Sequence, residues 1–320
     1  MDSLTQATLG AAVGEAVLGR EIGNKAALFG AIIGTIPDLD VILTPFFNEL
    51  QKISLHRGYS HSLLFCFLAA FLLAYVLKKK MSSHETAFFK WWLFSFLCLF
   101  THVLLDTFTS YGTQLFLPFT DWRVSFDSIG IIDPFYTIPL LAGVLLTLFY
   151  YRRSQHKRFR ANIIGLSVST MYLVFTLVNK QYVNGIFQEQ LEKQNIQASE
   201  LLTVPVKVGN AVWYGVAKEE TNIHIGKYSH ISKNQIEFHR FPINEYLLSG
   251  LDTVLVDRMK WFSKGFYAVI KTGERIRIYN LQCDMQGIQE NGEYRAPTAF
   301  YFEITPKEDG EYDLSSGMHR

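Results

Sequence analysis

Four long apolar runs occupy the first 180 residues of the chain, at residues 63–77, 91–108, 131–151 and 162–178. A bilayer core of roughly 30 Å needs about 20 apolar residues in a helix, and each run is read as a membrane span. The first is short alone but gains length if its helix starts near His61. Two further segments, 4–19 and 26–43, are rich in small residues: Gly10, Gly14 and Gly19 in one, Gly30 and Gly34 in the other. Small residues let helix backbones approach closely, so these segments are expected to form a tight helical hairpin inside the bundle. Beyond residue 185 the pattern changes to short alternating runs at 201–208, 211–217, 222–227, 235–240, 266–270, 275–281 and 299–305. Gly-containing turns separate several of them, which is a strand signal. The expected fold is an α-helical membrane bundle, an N-terminal hairpin plus about four transmembrane helices, followed by a small mostly-β extracytoplasmic domain. Boundaries are set at 1–180 for the helical domain, 181–200 for a linker helix and 201–320 for the β domain. A soluble helical protein with a very apolar core is the competing reading; four long runs with basic flanks weigh against it.

Charge refines this picture. The net charge is +1, so no bulk basic surface argues for nucleic acid, and none is expected as a partner. Lysines and arginines set the sides of a membrane protein. Arg20, Lys25, Lys78, Lys79, Lys80, Lys90, Arg152, Arg153, Lys157, Arg158 and Arg160 flank one set of loops. Loops 44–62 and 109–130 hold only Lys52, Arg57 and Arg123. The first set is assigned to the cytoplasm, which makes residues 185–320 extracytoplasmic. Cys66, Cys98 and Cys283 show no paired spacing, so disulfides and cysteine-based zinc sites are not expected. No basic region precedes a short apolar core at the N-terminus, so no signal peptide of the usual form is expected.

Candidate chemistry sits where the apolar runs are interrupted. His102 and Asp106 are four residues apart, which places them on one helix face. Ionisable residues inside an apolar helix are expensive in lipid and point to a partner or a function. Taken alone, a metal-ligand pair and a buried His hydrogen-bonded to Asp stand level. His56 and His61 bracket Gly58 at a helix start that Ser60 or Ser62 can cap. Asp38 and Asp40 follow Pro37. Two apart, they diverge on a regular helix, so one is read as a ligand and the other as orienting a His or holding a second ion. The side assignment brings all three clusters to one membrane face. His and carboxylate donors together suit zinc or another borderline divalent ion. Near the same face, Thr109 and Gln114 can hydrogen-bond an anionic substrate, and Arg57 and Arg123 can grip a phosphate. Asp133 precedes Pro134 and is read as a helix cap.

The segments MDSLTQATLGAAVGE, IIGTIPDLD, HRGYSHS and HVLLDTFTSYGTQLF, in this order over residues 1–180, resemble the YdjM-like inner-membrane family of metal-dependent hydrolases. That family is similar in motif layout to zinc-dependent phospholipase C and related single-strand nucleases. The resemblance implies that Asp38 is the carboxylate of a PD element, that His102 and Asp106 are an HxxxD pair, and that His56 or His61 supplies imidazole. Gln6 stands where many family members have His, so the site holds fewer ions or Gln6 binds through its amide oxygen.

The combined expectation is a multi-pass bacterial inner-membrane hydrolase that attacks a phosphoester or ester, with a membrane lipid or lipid-linked substrate. Its metal ligands would be Asp38, His56, His61, His102 and Asp106, holding one to three divalent ions, zinc by ligand type. Asp38, Asp40 and Arg57 would be catalytic; Gln6, Thr109, Gln114 and Arg123 would bind substrate. A metal or proton transporter is the alternative, but it would need ionisable residues spread across the membrane. A non-catalytic membrane scaffold with a structural metal is the other.

Overall fold

The computed structural model describes every residue except 82–84, 207, 233–234, 283–287, 291–292, 297, 299, 307–311 and 319–320. Cys283 and Ala299, the first residue of the last predicted strand, lie outside the described residues. Asp2 caps α1 (Ser3–Ile22) by accepting from the Thr5 backbone N–H, and Gly23, at φ 61°, turns the chain into α2 (Asn24–Gly34). The small residues of these two helices meet as expected. A Cβ on Gly10 would stand 2.3 Å from the Gly30 carbonyl oxygen, so the backbones touch where any side chain would hold them apart.

Pro37 ends α2 and opens a 3-10 segment, Pro37–Phe46. After α3 (Glu49–Leu55) and a 3-10 turn at Tyr59–His61, Ser62 caps α4 (Leu63–Lys80), accepting from the Phe65 N–H at 3.1 Å. Then come α5 (Phe88–Asp106), α6 (Pro134–Leu145) running into a π turn at Leu146–Tyr150, and α7 (Gln155–Lys193). Asp133 caps α6, as its place before Pro134 predicts.

The helical region carries three or four apolar candidate spans. Asn24–Phe46, Phe88–Asp106 and Gln155–Lys193 are long and apolar enough, and Glu49–His61 with Leu63–Lys80 forms a fourth bent by 54°. The second arm of the expected hairpin is thus itself of spanning length, while Pro134–Tyr150 is a shorter apolar helix. The expected span at 162–178 and most of the expected linker helix are one uninterrupted helix, α7.

Residues Met1–Pro45 and Ser54–Leu177 form one compact unit; Phe46–Ile53 and Val178–Arg320 form a second. The core of the first is built on Leu18, Trp91, Phe94 and Leu99, all fully buried. In the second, β1 (Glu200–Pro205), β2 (Val212–Lys218), β3 (Asn222–Ser229) and β4 (Phe238–Pro242) form an antiparallel sheet in that order. Phe187 of α7 packs with Trp213 and Ile236 on this sheet. Helix α8 (Thr253–Phe262) precedes β5 (Tyr267–Thr272), β6 (Arg275–Asn280), the hairpin β7 (Ile288–Glu290) and β8 (Glu293–Ala296), β9 (Phe300–Pro306) and β10 (Tyr312–Met318). The second sheet runs β10-β9-β6-β5, all antiparallel. In this region the sequence pattern missed α8, β7, β8 and β10. The first announces itself by the Asp252 cap and by Leu255, Val256, Met259 and Phe262, buried at helical spacing.

Candidate metal centre

Three elements of the first unit converge. In a 3-10 turn, residues two apart project to different sides, so Asp38 and Asp40 face different partners. Asp38 turns toward α5; Asp40 turns toward the loop before α4. That loop tightens through Arg57 in the left-handed region, at φ 57°. The last turn of α5 carries His102 and Asp106 on one face, as their spacing demands.

Four side chains meet here: Asp38, His61, His102 and Asp106, with one ligand atom of each within 4.8 Å of every other. His61 Nε2 lies 3.3 Å from His102 Nε2, 3.5 Å from Asp38 Oδ1 and 3.4 Å from Asp106 Oδ2. His102 Nε2 lies 3.5 Å from Asp38 Oδ1 and 3.7 Å from Asp106 Oδ2. With zinc-to-donor bonds near 2 Å, the donors of a tetrahedral site stand about 3.3 Å apart. Each pair that includes a histidine stands near that spacing, so the group could hold one ion.

The hydrogen bonds around the cluster settle the ring orientations. His102 Nδ1 meets the Gly34 carbonyl oxygen at 2.5 Å. A carbonyl only accepts, so Nδ1 carries a proton, and Nε2 is the ring atom that faces inward. Ser60 donates its hydroxyl proton to Asp40 Oδ2 at 3.1 Å and accepts from His61 Nδ1 at 2.9 Å. His61 Nε2 is thus the inward-facing atom of its ring as well. Two imidazole nitrogens and two carboxylate oxygens point at one place; Asp106 Oδ2, fully buried, accepts no hydrogen bond, and the Arg57 guanidinium lies beside it as an ion-pair partner. Two carboxylates converging with two imidazole nitrogens favour a cation or a proton among them. The outer bonds are those that orient metal-binding imidazoles elsewhere. Asp38, 23% exposed at its side chain, is the open edge; the other three are sealed.

The other residues singled out in the sequence take distinct places. Asp40 is a hub, binding His56 Nδ1 at 3.2 Å and the Arg57 backbone N–H at 3.0 Å in addition to Ser60. His56 stands outside the four-residue group, its side chain 31% exposed. Arg57 Nε is 3.2 Å from Asp106 Oδ2, and its Nη1 donates to Thr109 Oγ1 at 2.7 Å. Gln6 Nε2 donates to Asp106 Oδ1 at 3.0 Å while its Oε1 is buried without a partner. The Met1 amino group also donates to Asp106 Oδ1. Burial lowers the pKa of that amine, while Asp106 acts against the shift.

Thr109, Gln114 and Arg123 are buried and bonded within the protein. Thr109 donates to the Asp106 carbonyl at 2.8 Å, Gln114 Nε2 to the Ser54 carbonyl at 2.9 Å, and Arg123 to the Tyr111 carbonyl. Sequence reasoning passed over the Gly34 carbonyl and the Ser60 relay, and assigned no role to the Met1 amine. Only Ser60 left a trace, as a hydroxyl directly before a candidate histidine; Ser62 is the residue that caps the helix.

Apolar candidate spans enclosing a buried His/Asp group with metal-holding geometry define a helical membrane protein with a possible metal site. The chain belongs to the YdjM inner membrane protein family, whose model matches residues 1–183. It is 31% identical over 201 residues to the uncharacterized protein YfhP of Bacillus subtilis, covering 61% of this chain and 57% of that one. It is 28% identical over 109 residues to the inner membrane protein YbcI of Escherichia coli, covering 34% of this chain and 61% of that one. The chain thus spans less than two thirds of the length of either relative. No solved structure matches it.

Proposed function

We propose that this protein is a membrane-embedded, metal-dependent hydrolase of phosphoesters or esters. The observation that carries the metal is the convergence of four buried or half-buried ligand atoms within 4.8 Å of one another, with a carboxylate oxygen that accepts no hydrogen bond among them. His61, His102, Asp106 and Asp38 would hold the ion, and zinc suits that donor set. When bound, such an ion polarises an ester oxygen and makes water acidic near neutral pH.

The chain's own residues divide the remaining work. Asp38 at the open edge is placed to take a proton when it is not a ligand. Asp40, through Ser60, keeps His61 turned inward. Arg57 compensates the charge of Asp106. Leu39, between the two aspartates, and Tyr59, beside Ser60, are exposed. An apolar rim of this kind suits a lipid or lipid-linked substrate. Distribution of lysines and arginines supports a site and a C-terminal region on the outer side of the inner membrane.

A structural metal is the second reading, favoured by a specific observation: four protein donors are present, three of them sealed, and structural zinc sites are closed in this way. The test is metal analysis of the purified chain together with a phosphoester and lipid-ester hydrolysis screen, with His102→Ala and Asp106→Asn alongside. The expected result is a bound divalent ion, with metal and activity lost together in both variants. Full metal content in both variants sinks the site; bound metal with no hydrolysis across the screen leaves the structural reading.

A further inference from the structure

A second feature of the helical unit lies away from the His/Asp group. Helices α6 and α7 cross backbone to backbone at Gly143 and Gly165. A Cβ on Gly165 would lie 2.8 Å from the Pro139 carbonyl oxygen, and one on Gly143 would lie 3.0 Å from Gly165 Cα. Beside this crossing the helices leave a groove of about 520 Å³, within the range of roughly 300–1,000 Å³ typical of small-molecule sites. Its walls are apolar, formed by Leu146, Ile164 and Val168, all exposed. Its other end is lined by Tyr151, Lys157 and Arg160.

Among the described residues, no acidic side chain pairs with the lining cations at that end. Arg158, between the two lining cations, is buried and paired with Glu15 at 2.6 Å. Lys157 and Arg160 are exposed, and neither has a hydrogen bond or ion pair from its side chain among the described residues. Exposed Arg152 and Arg153 precede them in the chain. Glu15 stands nine residues beyond Gln6, about 13 Å along α1, so this end is well separated from the His/Asp group.

We propose that this groove binds an anionic glycerophospholipid, one acyl chain along Leu146, Ile164 and Val168 and the phosphate between Lys157 and Arg160. A groove apolar along its length and cationic at one end matches a molecule with the same division. Basic pockets between membrane helices recognise anionic headgroups for this reason. A zwitterionic lipid offers the same chain but brings its own cation, so it gains less from the paired charges.

The experiment uses the full chain purified in neutral detergent. Its thermal unfolding and lipid retention are followed on titration with phosphatidylglycerol, with phosphatidylcholine of the same chains, and with inorganic phosphate. Phosphatidylglycerol is expected to raise Tm and to bind at least ten-fold more tightly than phosphatidylcholine; inorganic phosphate is expected to leave Tm unchanged. Each cation near an anionic lipid contributes about five-fold in affinity. The double variant Lys157→Glu/Arg160→Glu should therefore lose about 30-fold or more of the phosphatidylglycerol affinity. Ile164→Trp, which fills the groove and leaves both cations, should weaken both lipids. Equal binding of the two lipids by the native chain, the same Tm rise with phosphate alone, or native affinity in either variant would overturn the proposal.

Discussion

Gly10→Ala tests the link between helix packing and the metal centre most directly. The added methyl carbon would stand 2.3 Å from the Gly30 carbonyl oxygen and 3.0 Å from Gly34 Cα. Ordinary contact begins near 3.4 Å, so the helices must part by about 1 Å, and both obstacles are backbone that cannot swing away. Alanine in a helix gains about 1 kcal/mol over glycine, while overpacking costs about 1–3 kcal/mol. A backbone-on-backbone clash belongs at the upper end, leaving a net loss of about 2 kcal/mol. For a unit of this size that is a fall of about 4–8 °C in Tm. The displacement also reaches the site. Helix α2 ends at Gly34, whose carbonyl holds His102 Nδ1, and its continuation delivers Asp38. A shift of about 1 Å would stretch that 2.5 Å bond to its limit, and loss of an orienting bond costs about 10–100-fold in metal affinity. The control is Gly185→Ala on α7, where a Cβ meets nothing within 4 Å; it should be neutral or stabilising by up to about 1 kcal/mol. Detergent melts and zinc competition titrations read both quantities. If Gly10→Ala melts with the native protein and holds zinc as tightly, the backbone contact does not set the site.

Other outcomes follow from the same geometry. Asp40→Asn should still bind metal but about 10–100-fold more weakly, because Asp40 orients rather than ligates; zinc competition measures this, and native affinity would remove Asp40 from the relay. Chelation should lower Tm, and added zinc should restore it in a concentration-dependent way, because an ion bound only by the folded state stabilises it by mass action; a Tm indifferent to chelator and zinc would argue against a site. Glu15→Leu leaves the Arg158 guanidinium buried and unpaired, which costs about 3–5 kcal/mol, while Glu15→Leu with Arg158→Met should recover most of it; melts of both variants decide whether the charge or the packing matters. Ser62→Ala should cost about 1 kcal/mol by removing the α4 cap, and an unchanged Tm would show that α4 is held by packing alone.

Much of the fold was legible because burial in a helix or a strand leaves a period in the chain. The runs at 91–108 and 162–178 became α5 and part of α7, and Gly10 and Gly30 announced a close approach that the helices make. Strands β1 to β6 lie near the alternating runs that predicted them. Short α8 was missed because ten residues offer little periodicity among neighbouring strands, and β10 because Tyr-Asp-Leu-Ser-Ser-Gly-Met is mostly polar. The continuity of α7 was also unreadable: its polar C-terminal half looks like a linker until Val183 and Phe187 are seen buried against the sheet.

Residue types and local spacing, by themselves, determined that His102 and Asp106 share a face, that Pro37 breaks a helix at Asp38, and that both lie in apolar surroundings where charge needs a reason. Those are properties of a few consecutive residues, governed by backbone geometry. Tertiary structure decided the rest. Asp38 and Asp40 are chemically identical and two apart, yet one reaches the four-residue cluster and the other supports a loop. His56 and His61 both face Asp40, yet only His61, bonded through Ser60, is buried in the cluster. Selection of that kind depends on where distant segments meet, because hydrogen-bond orientation acts over about 3 Å and the groups that supply it here, the Gly34 carbonyl and the Asp40 carboxylate, belong to elements separated in the chain from the histidines they orient.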